Sequence, residues 1–314
     1  MEPQTPVPKR FIGLDVHKHY LVAYGVDANL TPLLGPRRVT YGDLAHWIGQ
    51  VLTQADAVVL EMTTNTWELY DTLRPHVQSV TVVHPPHIAL ITRSQVMNDK
   101  IAARVLATLL AKGLLVGIWV PPEEVRQQRA LIAQRTKMTR LATQAKNRLH
   151  AILHSHCLQP ASDTPFAPDQ REWWLGLPLA PLEQAVVRSN LDTLAFAQQQ
   201  LAALEETLTQ LGGQEERLPL LVQLSGIGLI NGLTTLAAIG DIARFSSPKK
   251  RVGYAGLGSR VHDSGQTTRT GQITKAGRRD LRVALVEAAQ VAANTHPRSR
   301  ARTASPRRSR LPTS

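Results

Sequence analysis

The sequence predicts an α/β sheet domain at the N-terminus, then a helical middle region with coiled-coil character, then a mainly α-helical C-terminal domain. Three observations carry this expectation. Apolar runs of strand length alternate with helical patterns through the first third, two long stretches of helical periodicity surround a break rich in Pro, Asp and Ala, and paired glycines open a compact final segment. With 314 residues the chain can bury more than one core. The expected boundaries are 1–120, 121–215 and 216–297, with a disordered basic tail at 298–314.

In the first region, apolar runs at 11–14, 21–26, 58–60 and 80–83 read as strands, and 43–52 and 67–73 as helices. Only 15–20 joins the first two runs. That is too short for a crossover helix, so they should pair as an antiparallel hairpin. No glycine-rich turn follows the first strand, which removes the usual dinucleotide-binding signature. From 99 to 112 the apolar residues Ile101, Val105, Leu106, Leu109 and Leu110 fall at helical spacing, and after the run 115–120, Pro121-Pro122 closes the domain.

The stretch 123–154 is a long basic helix by pattern, 159–170 a loop, and 182–211 a second long helix ended by Gly212-Gly213. Leu191, Leu194, Leu201, Leu204, Leu208 and Leu211 recur at threes, fours and sevens, the seam of a coiled coil or of a helical bundle. The C-terminal domain should span 218–294, and six arginines between Arg298 and Arg310 mark the tail as low-complexity chain.

Charge narrows the partner. Lys and Arg total 36 against 24 Asp and Glu, a formal net charge of +12 that suits a polyanion, with nucleic acid as the first candidate. The single Cys157 excludes an internal disulfide and a multi-cysteine zinc site. The polar, proline-rich start carries no apolar signal core, and no apolar run approaches the ~20 residues of a spanning helix, so a soluble cytoplasmic, nucleoid-associated protein without a membrane partner is expected.

Three acidic residues stand where chemistry could be placed. Asp15 follows the first strand run, Glu61 follows the third, and Asp99 opens the helix that closes the domain. Two carboxylates at neighbouring strand ends and a third on a packed helix can surround a hard cation such as Mg²⁺ (or Mn²⁺) with oxygen ligands. On spacing alone they read equally well as strand-end caps and a helix cap. His17, His19, His84 and His87 read as structural, since imidazole suits Mg²⁺ poorly, and Asp56 and Asp71 read as solvated surface acids.

The segments Gly13-Leu14-Asp15-Val16-His17-Lys18, Leu60-Glu61-Met62-Thr63 and Asn98-Asp99-Lys100-Ile101-Ala102-Ala103-Arg104 resemble successive motifs of the DEDD transposases, the insertion-sequence family numbered one hundred and ten. The resemblance implies a ribonuclease-H-like first domain similar to the Holliday-junction resolvase RuvC, with Asp15, Glu61 and Asp99 as catalytic metal ligands. The family's helix motif carries a second aspartate three residues after the first, on the same helix face. Here that position is Ala102, which removes a ligand and a negative charge and predicts weakened metal binding.

Leu224-Ser225-Gly226-Ile227-Gly228 reads as a helix-hairpin-helix turn, or equally as a tight turn between packed helices; in the first reading Gly226 and Gly228 let backbone amides approach a phosphate. Downstream, Phe245-Ser246-Ser247-Pro248-Lys249-Lys250-Arg251, Gly253-Tyr254-Ala255-Gly256-Leu257, Asp263-Ser264-Gly265 and Ile273-Thr274-Lys275-Ala276-Gly277-Arg278-Arg279 resemble the same family's C-terminal domain in order and spacing. By that resemblance Ser264 occupies the position of the nucleophile that attacks DNA. It should sit in a polar loop. Lys249, Lys250, Arg251, Arg260, Arg269, Lys275, Arg278 and Arg279 are the expected nucleic-acid contacts, able to neutralise phosphodiester charge. Only His262 offers a local base, so activation by the Mg²⁺ of the first domain is the more coherent expectation.

The resemblance further implies DNA and a structured noncoding guide RNA as partners and a homo-oligomer, a dimer or tetramer. The leading expectation is therefore a transposase that cuts and joins DNA by serine attack with Mg²⁺ assistance. The alternative is a catalytically impaired nucleic-acid-binding derivative, which Ala102 and the arginine-rich end favour as marks of a degenerate copy. A third and weaker reading is a RuvC-like nuclease without the serine step.

The charge balance generates a prediction. Affinity for duplex DNA or structured RNA should fall steeply between low and high salt, because phosphate neutralisation releases counterions. Filter binding or fluorescence anisotropy across a salt series checks it, and a flat series would refute the electrostatic reading.

Overall fold

The computed structural model describes residues 7–85, 98–264 and 267–295, with backbone alone for 261–270. The chain divides into two compact units, Met1–Val120 and Pro121–Ser314. The tail expected at 298–314 lies outside the described residues.

The first unit is a five-stranded sheet in the order β3-β2-β1-β4-β5. Its strands are β1 (Arg10–Val16), β2 (Tyr20–Val26), β3 (Pro32–Thr40), β4 (Asp56–Glu61) and β5 (Ser79–Val83). The β1–β2 and β2–β3 pairs are antiparallel, whereas β1–β4 and β4–β5 are parallel. Helices α1 (Leu44–Val51) and α2 (Thr66–Leu73) cover one face, and α3 (Asp99–Ala111) the other.

Period-two alternation decides what each face holds. Ile12, Leu14, Val16, Leu21, Ala23, Val58, Leu60 and Val82 join Trp47, Ile48, Leu69 and Leu73 in the core under α1 and α2. The intervening residues, Phe11, Val26, Ala57, Val59 and Val83, turn to α3 and meet Leu106, Ala107 and Leu109. Contact on this second face is unusually close at one point. A Cβ added to Gly13 would lie 2.1 Å from the Ala103 carbonyl oxygen and 2.6 Å from the Ala107 nitrogen, both backbone atoms. Only glycine lets α3 sit this low over β1.

Two features of this unit, β3 and Asp56, differ from the sequence expectation. Strand β3 was not foreseen: Pro32 and Pro36 interrupt its pattern, and most of it is exposed, so neither alternation nor propensity signals a strand. Asp56 is not a solvated surface acid but fully buried, gripped by Arg10 through Nε–Oδ1 (2.7 Å) and Nη2–Oδ2 (2.6 Å) bonds and by the Thr53 amide. The apolar run 115–120 flanks β5, with the Ile118 amide donating to the Val82 carbonyl at 2.7 Å.

In the second unit, α4 (Glu123–Ser155) and α6 (Pro181–Gln214) pack antiparallel along their length. Leu149 and Leu153 meet Val187 and Leu191, Ala142 and Ala145 meet Leu194 and Ala197, and Ile132 meets Leu208. The alanines in the middle bring the helix axes together. The connecting loop closes on α5 (Arg171–Leu175), where fully buried Trp174 donates from Nε1 to the Pro165 carbonyl at 2.6 Å. Gly212-Gly213 does not end α6, which continues to Gln214. A Cβ on Gly212 would strike Leu229 at 2.4 Å, so this glycine serves packing rather than termination.

Helices α7 (Leu218–Val222) and α8 (Leu229–Ile239) share a core with the helix pair through Ile132, Leu208, Leu218, Leu233 and Ala237. Beyond them come α9 (Pro248–Tyr254), the antiparallel hairpin β6 (Ser259–Ser264) and β7 (Thr267–Ile273), and α10 (Arg279–Thr295). This hairpin is an addition to the expected mainly α composition. Its residues are polar except Val261 and Ile273, so no run of apolar alternation announces it. Among the described residues no helix is long and apolar enough to cross a membrane.

Gly13→Ala is expected to destabilise the protein by about 1–3 kcal/mol through overpacking. Gly49→Ala, an exposed position of α1 with open space around the added Cβ, should stabilise it by about 0.5–1 kcal/mol. Urea unfolding of the two variants checks the contrast, and equal effects would refute it.

Candidate functional site

The alternation that sorts the core also sorts the polar residues. Leu14 of β1 pairs with Leu60 of β4, so Asp15 and Glu61 are the next residues along two parallel neighbours. Both follow the parity of Phe11, Gly13, Ala57 and Val59, the residues that face α3. Tyr20 shares that face from β2. The Asn98 side chain accepts from the Ile101 amide at 3.0 Å and caps α3, so the helix begins at Asp99, one turn before Ala103 and two before Leu106. The close approach at Gly13 therefore brings Asp99 over the strand ends.

Tyr20 donates its hydroxyl hydrogen bond to Asp99 Oδ2 at 2.9 Å. The Nε2 atom of His17 lies 3.1 Å from Asp15 Oδ2 and 3.4 Å from Asp99 Oδ2. Potential ligand atoms of Asp15, His17 and Asp99 all fall within 4.8 Å of one another. Glu61 stands outside that trio, yet near enough for its charge to repel that of Asp15. The structure sets His17, read from the sequence as structural, directly against two of the acids. The signal in the sequence was its position two residues after Asp15, across the hairpin turn. His19 and His84 are exposed, and His87 lies outside the described residues. Ala102 is half-buried on α3, and no acid follows it on that helix.

Burial pushes the Asp15 carboxyl above its ordinary range, and Asp99 adds to the rise while His17 opposes it. Burial also raises Glu61, with Asp15 contributing. The hydrogen bond to Asp99 raises the Tyr20 phenol. Clustered carboxylates that resist ionisation are stabilised by an added cation, and hard oxygen donors at strand ends suit a divalent one.

In the second unit, Lys249, Lys250, Arg260, Lys275 and Arg279 are exposed, and Arg251 is half-buried. Backbone bonds from Lys275 to Gly256 (3.0 Å) and from Arg278 to Tyr254 (2.8 Å) tie the 274–278 segment to the end of α9, so two basic motifs distant in sequence belong to one substructure. Arg278 is committed elsewhere: it is half-buried and paired with Asp280, which holds Asp280 low against the opposing effect of burial. Gly226 adopts φ +89° and would place a Cβ 2.2 Å from the Ala288 carbonyl oxygen, so α10 uses its small size; Gly228, exposed at the N-cap of α8, has open space beside it. Ser264 ends β6, in register with Thr267, rather than standing in a loop. The side chains of Ser264 and Arg269 lie outside the described residues.

The first unit is thus a mixed sheet with acids clustered at its strand ends, and the same chain continues into a mainly helical unit with an exposed basic set. Residues 12–158 match the family model of the DEDD transposases of the IS110 type, and residues 218–304 that of the transposase IS116/IS110/IS902 family. The chain belongs to the IS110-family DEDD transposases. It is 28% identical to "Putative transposase y4qE" of Sinorhizobium fredii over 70% of this chain and 54% of that protein, so it spans about half of that relative's length. It is 21% identical to the transposase for insertion sequence element IS1111A of Coxiella burnetii, over 90% of this chain and 77% of the relative. Membership implies use of a divalent metal, and the residues at the strand ends fit one.

The raised carboxyls generate a pH prediction. Because Asp15 and Glu61 hold protons in the folded state at a pH where the unfolded chain has released them, stability falls as pH rises from the ordinary carboxylate range through the raised values. In chelator, Asp15→Asn and Glu61→Gln should melt above the parent at neutral pH, and the advantage should vanish below about pH 4. Thermal melts over a pH series decide this. Variants that melt at or below the parent at neutral pH would contradict it.

Proposed function

We propose that this chain is a transposase that cuts and joins DNA through attack of Ser264 on a phosphodiester with Mg²⁺ (or Mn²⁺) assistance, as a homo-oligomer guided by a structured noncoding RNA. One observation carries the reading: Asp15 and Asp99 lie close together on the α3 face of a sheet ordered β3-β2-β1-β4-β5, with Glu61 at the end of the strand beside Asp15, in a chain whose two parts both match transposase models. That strand order supports a ribonuclease-H-like, RuvC-like first domain. The guide RNA and the oligomer rest on the family resemblance alone.

Asp15, Glu61 and Asp99 would hold the ion, which when bound supplies charge neutralisation to a phosphate and acidity to a coordinated oxygen. The chain's own groups do the rest. Ser264 Oγ loses its proton to a base and forms the new bond to phosphorus. The bond from phosphorus to the departing DNA oxygen then breaks, and that oxygen takes up a proton. Because one phosphodiester replaces another, the energy for rejoining is retained. Exposed Lys249, Lys250, Arg260, Lys275 and Arg279 supply positive charge for the strand and for the charge that builds in the transition state. The observation that favours the impaired, binding-only derivative is Ala102, which offers the site no fourth carboxylate.

The test is run in an Ala102→Asp background, with guide RNA and DNA supplied, so that an incomplete ligand set cannot mask the chemistry. Denaturing gels should show a covalent protein–DNA band that Ser264→Ala abolishes while binding persists. Cleavage that survives in Ser264→Ala would overturn the assignment in favour of direct hydrolysis.

A further inference from the structure

We propose that His17 is itself a metal ligand in this chain, and that the resulting Asp15–His17–Asp99 set prefers Mn²⁺ to Mg²⁺. The inference rests on the reading of the strand-end cluster as a metal centre and concerns which residues hold the ion.

The geometry comes first. Nε2 of His17 is the one ring atom placed against both acids, 3.1 Å from Asp15 Oδ2 and 3.4 Å from Asp99 Oδ2. With all three candidate donor atoms within 4.8 Å, a single ion between them can contact each without any backbone rearrangement. Glu61 stands on the neighbouring strand, near enough to Asp15 for the two charges to repel.

The ring is also fixed in place. The His17 carbonyl accepts hydrogen bonds from the Tyr41 hydroxyl (2.5 Å) and from Asn65 Nδ2 (3.2 Å), which pins the β1–β2 turn to two other elements. Asn65 also donates to the Tyr41 oxygen, so the two anchors support one another. The imidazole stacks on Tyr20, with centroids 4.7 Å apart and planes 28° apart. Tyr20 is in turn held by its bond to Asp99 and by the Arg38 guanidinium, 3.8 Å from its ring centroid. A histidine serving only to fill a turn needs none of this. Such positioning is what makes a donor useful to an ion.

The chemistry then follows from Ala102. Where the family's helix motif places a second aspartate, α3 offers a methyl group, and the helix carries no other acid after Asp99. The site thus loses an anionic oxygen and gains a neutral nitrogen. Mg²⁺ binds nitrogen poorly and depends on anionic oxygens. Mn²⁺ lies higher in the affinity order for mixed nitrogen and oxygen sites and keeps more of its affinity when imidazole replaces carboxylate.

The experiment uses the full chain with Mn²⁺ or Mg²⁺ alone as the probe. Calorimetric titrations should give Mn²⁺ affinity about 10-fold or more above that for Mg²⁺. Pulsed electron paramagnetic resonance of the Mn²⁺ form should show coupling to a nitrogen nucleus. His17→Ala should abolish the coupling and weaken Mn²⁺ by about 10-fold or more while leaving Mg²⁺ nearly unchanged. His17→Gln, which keeps a hydrogen-bonding side chain, should behave alike, and the coupling is readable in the unaltered protein even if a variant folds poorly. Mn²⁺ bound without nitrogen coupling, or equal losses for both ions in His17→Ala, would overturn the role of His17 and leave the carboxylate centre standing. Failure of both ions to bind would remove the metal centre and this inference together.

Discussion

The close backbone contact between β1 and α3 governs the first unit. Gly13 admits the Ala103 carbonyl to a distance that any side chain would forbid, and the helix consequently lies low on the sheet. The place of Asp99 in the candidate centre depends on that height. Asp99 sits at the helix start, so a displacement of α3 by the width of a methyl group would move its carboxylate away from Tyr20 and His17 together. The site is built from the core outward: Leu106, Ala107 and Leu109 hold the helix down, and the acid at its end is positioned as a result.

Much of this was legible in the sequence, for identifiable reasons. The strands β1, β2 and β4 announce themselves because central strands must be apolar, the edge strand β5 because its run 80–83 is nearly all valine, and the long helices because their apolar residues keep helical spacing. The acids could be named from their places at the ends of those runs. Other features were hidden. β3 is exposed and proline-containing, the β6–β7 hairpin is polar but for Val261 and Ile273, and Asp56 is buried where Arg10 reaches it from the paired strand. The surroundings of His17 were hidden for a different reason: Tyr41 and Asn65, which hold its carbonyl, come from elsewhere in the chain.

Net charge overstates the cations available for a phosphate backbone. At the C-terminus of α8, Arg129 donates to the Ala237 and Ala238 carbonyls, Arg244 to Ile239 and Arg217 to Gly240, with the Tyr254 hydroxyl also on Ala238. These groups satisfy the carbonyls that a helix end leaves open and oppose its negative dipole. Burial lowers the Arg129 pKa, and the nearby Arg278 adds to the effect, so positive charge is concentrated inside the unit at an energetic cost that the carbonyls and Asp280 offset. Arginine here is partly a structural material. The exposed set around α9 and the 274–278 segment is correspondingly smaller than the sequence total suggests.

The two rims of the sheet are treated unequally, and this bears on how copies of the chain could meet. An uncovered strand invites another chain to extend the sheet. On one rim, β3 carries Pro32 and Pro36, which donate no backbone hydrogen bond, together with Arg37 and Arg38, whose charges would confront their counterparts in an incoming copy. On the other rim, the chain lays its own 115–120 segment beside β5 and uses the Ile118 amide on Val82. One rim is thus guarded by composition and the other occupied by the chain itself. Extension of the five-stranded sheet is thereby disfavoured on both rims, which leaves other surfaces of the chain for any assembly.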